Sequence, residues 1–205
     1  MQVSVHKNDL PAEFLNGLDS VAVDTETMGL CPNRDRLCVA QFSSGNGECH
    51  LIQFYNYTDA SNIKKLLADR RILKIFHYAR FDVMMFYKYL GTMTENVYCT
   101  KIASKLTRTY AQKHSLMELC RDLLRIEISK EQTCTDWGKE QLSEQQKEYA
   151  ACDVLHLHKL KQVLDALLER ENRTCLAIKC FDFLKARVML DLMVGERYDI
   201  FSHES

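Results

Sequence analysis

Proline and glycine are scarce in this 205-residue chain, with two of the former (Pro11 and Pro32) and seven of the latter. A flexible linker or a disordered half would need more of both, so residues 1–205 are expected to fold as one unit around a sizeable core. No run approaches the roughly 18 to 20 apolar residues that span a bilayer. The opening Met1-Gln2-Val3-Ser4-Val5-His6-Lys7 lacks the basic start and apolar stretch of a signal peptide. The nine cysteines are scattered without a Cys-x-x-Cys pair, which speaks against a zinc site or a disulfide framework. Most are expected to be small buried apolar residues in a reducing cytoplasm. A basic excess is missing too. With a formal net charge of −1, the chain lacks what gripping long nucleic acid normally demands, so any such footprint should be small and local. Nothing in the sequence suggests a Ser/His/Asp triad.

What is present reads as an α/β protein with a mixed central sheet flanked by helices and a helical C-terminal part. Strands are expected at 21–25, 37–42, 49–54, 72–76 and 96–99, with a turn at Ser43-Ser44-Gly45-Asn46-Gly47. Helices are expected at 59–68, 80–90, 100–107, 115–124, 143–170 and 174–193. Ser143 followed by Gln146 forms a reciprocal capping pattern that fixes where the 143–170 helix begins.

Asp24 and Glu26 stand two apart on an early strand, so both carboxylates leave the same sheet face, opposite Val21, Val23 and Thr25. Placing two such groups together is costly unless a cation compensates them, and hard oxygen ligands favour magnesium or manganese. A strand end frayed into solvent accounts for the pair equally well. Asp82 falls in the first turn of a helix, where the helix dipole alone would favour it. Tyr149 and Asp153, four apart, share one face of the capped helix. The small residues Ala150 and Ala151 between them would let that helix approach a sheet closely. The Tyr-x-x-x-Asp spacing is not specific by itself, since Tyr55/Asp59 and Tyr78/Asp82 repeat it.

Together, however, Asp-x-Glu on an early strand, Asp at a strand-to-helix junction and Tyr-x-x-x-Asp on a late helix resemble the DEDD exonuclease superfamily. The Tyr-bearing last motif is similar to its ribonuclease D branch. Ile75-Phe76-His77, Thr135-Asp136-Trp137 and Leu142-Ser143-Glu144-Gln145-Gln146 extend the likeness. Asp24-Thr25-Glu26-Thr27-Met28-Gly29-Leu30, the run from Thr100 to Tyr110, and the tail from Asp191 to Phe201 resemble the compact nano-RNase C group. Ser115 departs from the related pattern, which usually has Gly there.

The resemblance implies a ribonuclease H-like fold and a 3′-5′ exoribonuclease using two divalent ions, Mg2+ or Mn2+. Asp24 would bridge both ions, Glu26 and Asp153 would complete one site and Asp82 the other, and Tyr149 would orient the attacking water. Its substrate would be short single-stranded RNA, dinucleotides included, cut to nucleoside 5′-monophosphates. Thr25, Leu30 and His77 become candidate substrate contacts, Leu30 as an apolar wedge against terminal bases. Lys101, Lys105 and Arg108, at helical spacing, are candidates for phosphate contact or else a solvated basic face. Trp137 is expected in the core. A homo-oligomer, a ring among the forms implied, could use the part from 172 to 205, which could equally pack within one monomer. General RNA trimming, a DNA exonuclease and an inactive RNA-binding scaffold remain the alternatives.

Overall fold

Val21, Ala22 and Val23 are fully buried, and the strand they belong to sits at the middle of a six-stranded sheet. The computed structural model describes residues 2–128, 136–195 and 200–203. Its strands are β1 (Gln2–Lys7), β2 (Ser20–Thr27), β3 (Leu37–Ser43), β4 (Glu48–Gln53), β5 (Leu73–Phe76) and β6 (Val97–Cys99). They lie in the order β1-β4-β3-β2-β5-β6. The β2–β3 and β3–β4 pairs are antiparallel, whereas β1–β4, β2–β5 and β5–β6 are parallel. The mixed sheet expected from the sequence is therefore present, and the buried side chains form one continuous cluster around it.

The helices are α1 (Ser61–Ala68), α2 (Ala79–Leu90), α3 (Thr100–Thr107), α4 (Leu116–Leu119), α5 (Glu144–Leu155), α6 (Leu157–Arg170) and α7 (Thr174–Val194). A wider π turn over Cys120–Leu124 continues α4. Helix α5 packs across β2, β3 and β4, while α2 packs against β2, β3, β5 and β6 with α7 beside it. Ser143 caps α5 as anticipated, its hydroxyl accepting from the Gln146 amide while Gln146 reaches back to the Ser143 amide. Ser115, in place of the usual Gly, makes the same reciprocal cap with Glu118.

Three features differ from the expectation. Edge strand β1 has only Val3 and Val5 alternating with polar residues, a pattern too short to read against the polar start. The 143–170 helix breaks at His156, which ends α5 and precedes α6 with φ −101° and ψ −7°. Neither proline nor glycine marks that break. Finally, 57–59 is a 3-10 turn, so α1 starts later than 59. Thr135 and Asp199, which carry part of the family likeness, lie outside the described residues.

Candidate active site

Strand β2 runs past its parallel neighbour. Pairing with β5 covers only Ser20, Val21 and Ala22, so the end of β2 that carries Asp24 and Glu26 has no strand on that side. The first turn of α2 fills the gap. Asp82 is 3% exposed and accepts a hydrogen bond of 2.6 Å from the Thr25 hydroxyl. Strand alternation directs Thr25 away from Asp24 and Glu26, so Asp82 reaches the strand end from one side of the sheet. Helix α5 arrives on the other. With Ala150 and Ala151 fully buried, it comes close enough to bring an oxygen of Asp153 within 4.8 Å of oxygens of both Asp24 and Glu26. The Tyr149 hydroxyl hydrogen-bonds Asp153, and its ring lies 6.1 Å from that of Trp137. Trp137 is buried, as expected.

The electrostatics of this cluster are those of unbalanced negative charge. Burial raises Asp24 well above the usual carboxylate range, and Asp82, Asp153 and Glu26 raise it further. Glu26 is raised likewise, by burial and then by Asp153 and Asp82. Burial pushes Asp82 and Asp153 up to about 7. Carboxylates crowded in this way bind protons until something more positive arrives. The all-oxygen donor set suits a hard divalent cation, and the three-residue oxygen cluster with Asp82 beside it fits the magnesium or manganese expected.

The other candidates divide. Leu30 is 81% exposed in the loop after β2, beside the carboxylates in sequence and free to meet a ligand. Gly29 before it leaves room for Asp35: a Cβ there would come within 2.4 Å of Asp35 Oδ2. Asp35 in turn accepts from the Cys31 amide at 2.9 Å, which shapes the loop that presents Leu30. Thr25 donates its hydroxyl to Asp82 and is buried, so that side chain supports a carboxylate. His77 lies 2.9 Å from the Thr100 hydroxyl, and burial pushes it down to about 3, leaving a neutral ring.

Lys101 holds its Nζ 4.4 Å from the centre of the Tyr78 ring, and Lys105 is exposed. Arg108 does not join them. Helix α3 ends at Thr107, and Arg108 has left the helical conformation. It is 5% exposed and donates to Asp122 at 2.5 Å, which corrects the expected three-residue basic face. The remaining two lysines border a cleft of about 410 Å³ that also collects Tyr78, Arg80, Lys179 and Arg187. Tyr78 entered the sequence pattern only through its spacing to Asp82. It adopts a left-handed conformation, φ 68°, at the start of α2, with nothing in its residue type to announce it.

Residues 3–169 match the 3′-5′ exonuclease family, and the chain belongs to that family. Its fold is ribonuclease H-like, and its likeness is to the compact, ribonuclease D-like nano-RNase C group. Over its whole length it is 52% identical to Brucella melitensis NrnC, with 100% of both chains covered and a TM-score of 0.95. That protein is also known with bound Mg2+, at 51% identity and TM-score 0.94, and with bound pGG, at 52% and 0.95. Ribonuclease D of Desulfotalea psychrophila is 31% identical over 147 residues, which cover 72% of this chain and 39% of that protein. The chain thus spans only about two-fifths of the length of that relative.

Proposed function

We propose that this protein is a metal-dependent 3′-5′ exoribonuclease that hydrolyses short single-stranded oligoribonucleotides, dinucleotides included, to nucleoside 5′-monophosphates. The observation that carries the reading is the convergence of Asp24, Glu26 and Asp153 on one small volume with Asp82 beside them. These four side chains would hold two divalent ions. Such ions, when bound, make a nucleophile of water and stabilise charge on the leaving 3′ oxygen. The Tyr149 hydroxyl, already directed at Asp153, orients the attacking water. Leu30, exposed in the loop after β2, presses on the terminal bases, and neutral His77 forms part of the wall near α2. Lys101 and Lys105 meet phosphate, aided by the cations of the neighbouring cleft. The near-neutral net charge and the pGG bound to the similar Brucella melitensis NrnC both support a short substrate.

A ladder of 5′-labelled RNA from two to about twenty nucleotides, with a DNA ladder beside it, tests this in magnesium and in EDTA. Magnesium-dependent loss of the shortest RNAs first is expected. Equal rates at all lengths would favour general RNA trimming, preference for DNA would move the assignment to a deoxyribonuclease, and no hydrolysis would leave a binding scaffold.

We also propose self-association through α7. Leu176, Ile178, Phe183, Met189, Met193 and Val194 of this helix are exposed, more apolar surface than a solvated helix normally shows. Light scattering is expected to report several copies per particle; a monomer at micromolar concentration rules the assembly out. No helix among the described residues is long and apolar enough to cross a membrane. The eight cysteines described are all free, which supports a cytoplasmic setting.

A further inference from the structure

Gln41 lies in the middle of β3, is 0% exposed, and has no hydrogen-bond partner on either Nε2 or Oε1 among the described residues. Buried side-chain amides are nearly always paired, because an unpaired one loses its water contacts with nothing in return. Such an orphan keeps its full hydrogen-bonding capacity unused. Its place in the sheet identifies the partner. In the antiparallel ladder Gln41 stands directly opposite Asp24, and residues so paired share a sheet face with Cβ atoms about 4.5–5.5 Å apart. Across its other edge stands Leu51, whose side chain has no polar atom to offer.

Two of the other three carboxylates show what Asp24 lacks. Asp82 accepts from the Thr25 hydroxyl, and Asp153 is hydrogen-bonded by Tyr149. Asp24 is served by the Thr25 backbone, and no side chain among those described donates to it. Yet it belongs to the three-carboxylate cluster and feels the charge of all the other three. A carboxylate that holds a cation works best when an outer hydrogen bond fixes it.

We infer that Gln41 is a positioning residue for Asp24: its buried amide donates to the Asp24 carboxylate when that carboxylate holds a divalent cation. The inference rests on reading the cluster as a cation site. It touches neither substrate nor cation, so its effect runs through Asp24 alone.

The test is titration calorimetry of the intact protein with Mn2+, paired with thermal unfolding in EDTA, for the wild type, Gln41→Leu and Gln41→Met. Removing an orphaned polar group in favour of an apolar one of similar size should leave the metal-free melting temperature unchanged or higher. The Mn2+ dissociation constant should rise ~10–100-fold in both variants. An unchanged dissociation constant overturns the inference. So does weaker binding accompanied by a lower metal-free melting temperature in both variants, which would make Gln41 a packing residue. Asp24→Asn separates the two layers of argument. If the wild type itself takes up no Mn2+, or Asp24→Asn binds it as well as the wild type does, the cation site fails and the role of Gln41 fails with it.

Discussion

Asp153→Asn should lower the rate of hydrolysis by ~10²–10³-fold, the scale lost when one preorganised charge-stabilising group at a reacting centre is removed. The same substitution should make the metal-free protein more stable at pH 8. Burial holds Asp82 and Asp153 up at about 7, against about 4 for such groups in an unfolded chain. The folded, metal-free state therefore binds protons more tightly than the unfolded one. Its stability is fully present below about pH 4 and is lost as pH rises through about 7. Asparagine removes one of the charges that repel above that range. In EDTA the variant should melt above the wild type at pH 8 and level with it at pH 4, by roughly 2–4 °C for each kcal/mol of repulsion relieved.

Metal should reverse the order. Magnesium at a hundred times its dissociation constant stabilises a protein by about 2.7 kcal/mol, a gain open to the wild type and largely closed to the variant. Thermal unfolding across pH with and without magnesium reads all of this. If the curves do not cross on adding magnesium, the cluster is not a cation site.

Local geometry made part of this site legible. Alternation along β2 is enough to put Asp24 and Glu26 on one face, and the Ser143 cap is enough to set Tyr149 and Asp153 one turn apart on a helix of known start. Convergence is another matter. Asp24 and Asp153 meet only because a sheet and a late helix pack together, and no local pattern encodes that contact; the resemblance of the ordered motifs supplied it. Where the chain leaves a regular element, periodicity misleads. Arg108 has the spacing of Lys101 and Lys105, but α3 ends one residue earlier and the guanidinium turns to Asp122. The break at His156 and the left-handed Tyr78 fall at residue types that carry no such preference. Gln41 shows the same limit from another side. Its sequence neighbours describe a buried strand, and only the ladder register sets the residue opposite Asp24.

The second large effect is expected at Tyr149, where replacement by phenylalanine keeps the ring and deletes one oxygen. The ring faces Trp137, and phenylalanine retains that packing, so the fold should lose little. The hydroxyl has two possible uses, and they predict different kinetics. If it serves only to hold Asp153, its loss should weaken metal binding and turnover together. If it also orients the attacking water, turnover should fall much further than metal affinity does. A phenol, with an ordinary pKa near 10, is a poor base at neutral pH, so the contribution is one of placement, completed by the neighbouring carboxylates. Loss of a positioned group in proton transfer typically costs ~10²–10⁴-fold. For Tyr149→Phe we expect kcat to drop on that scale with KM nearly unchanged, the mark of an interaction made in the transition state. The Mn2+ dissociation constant, measured on the same samples, should move by less than about tenfold. Wild-type turnover in Tyr149→Phe would remove the water-orienting role, and parallel losses of metal affinity and turnover would reduce Tyr149 to a support for Asp153.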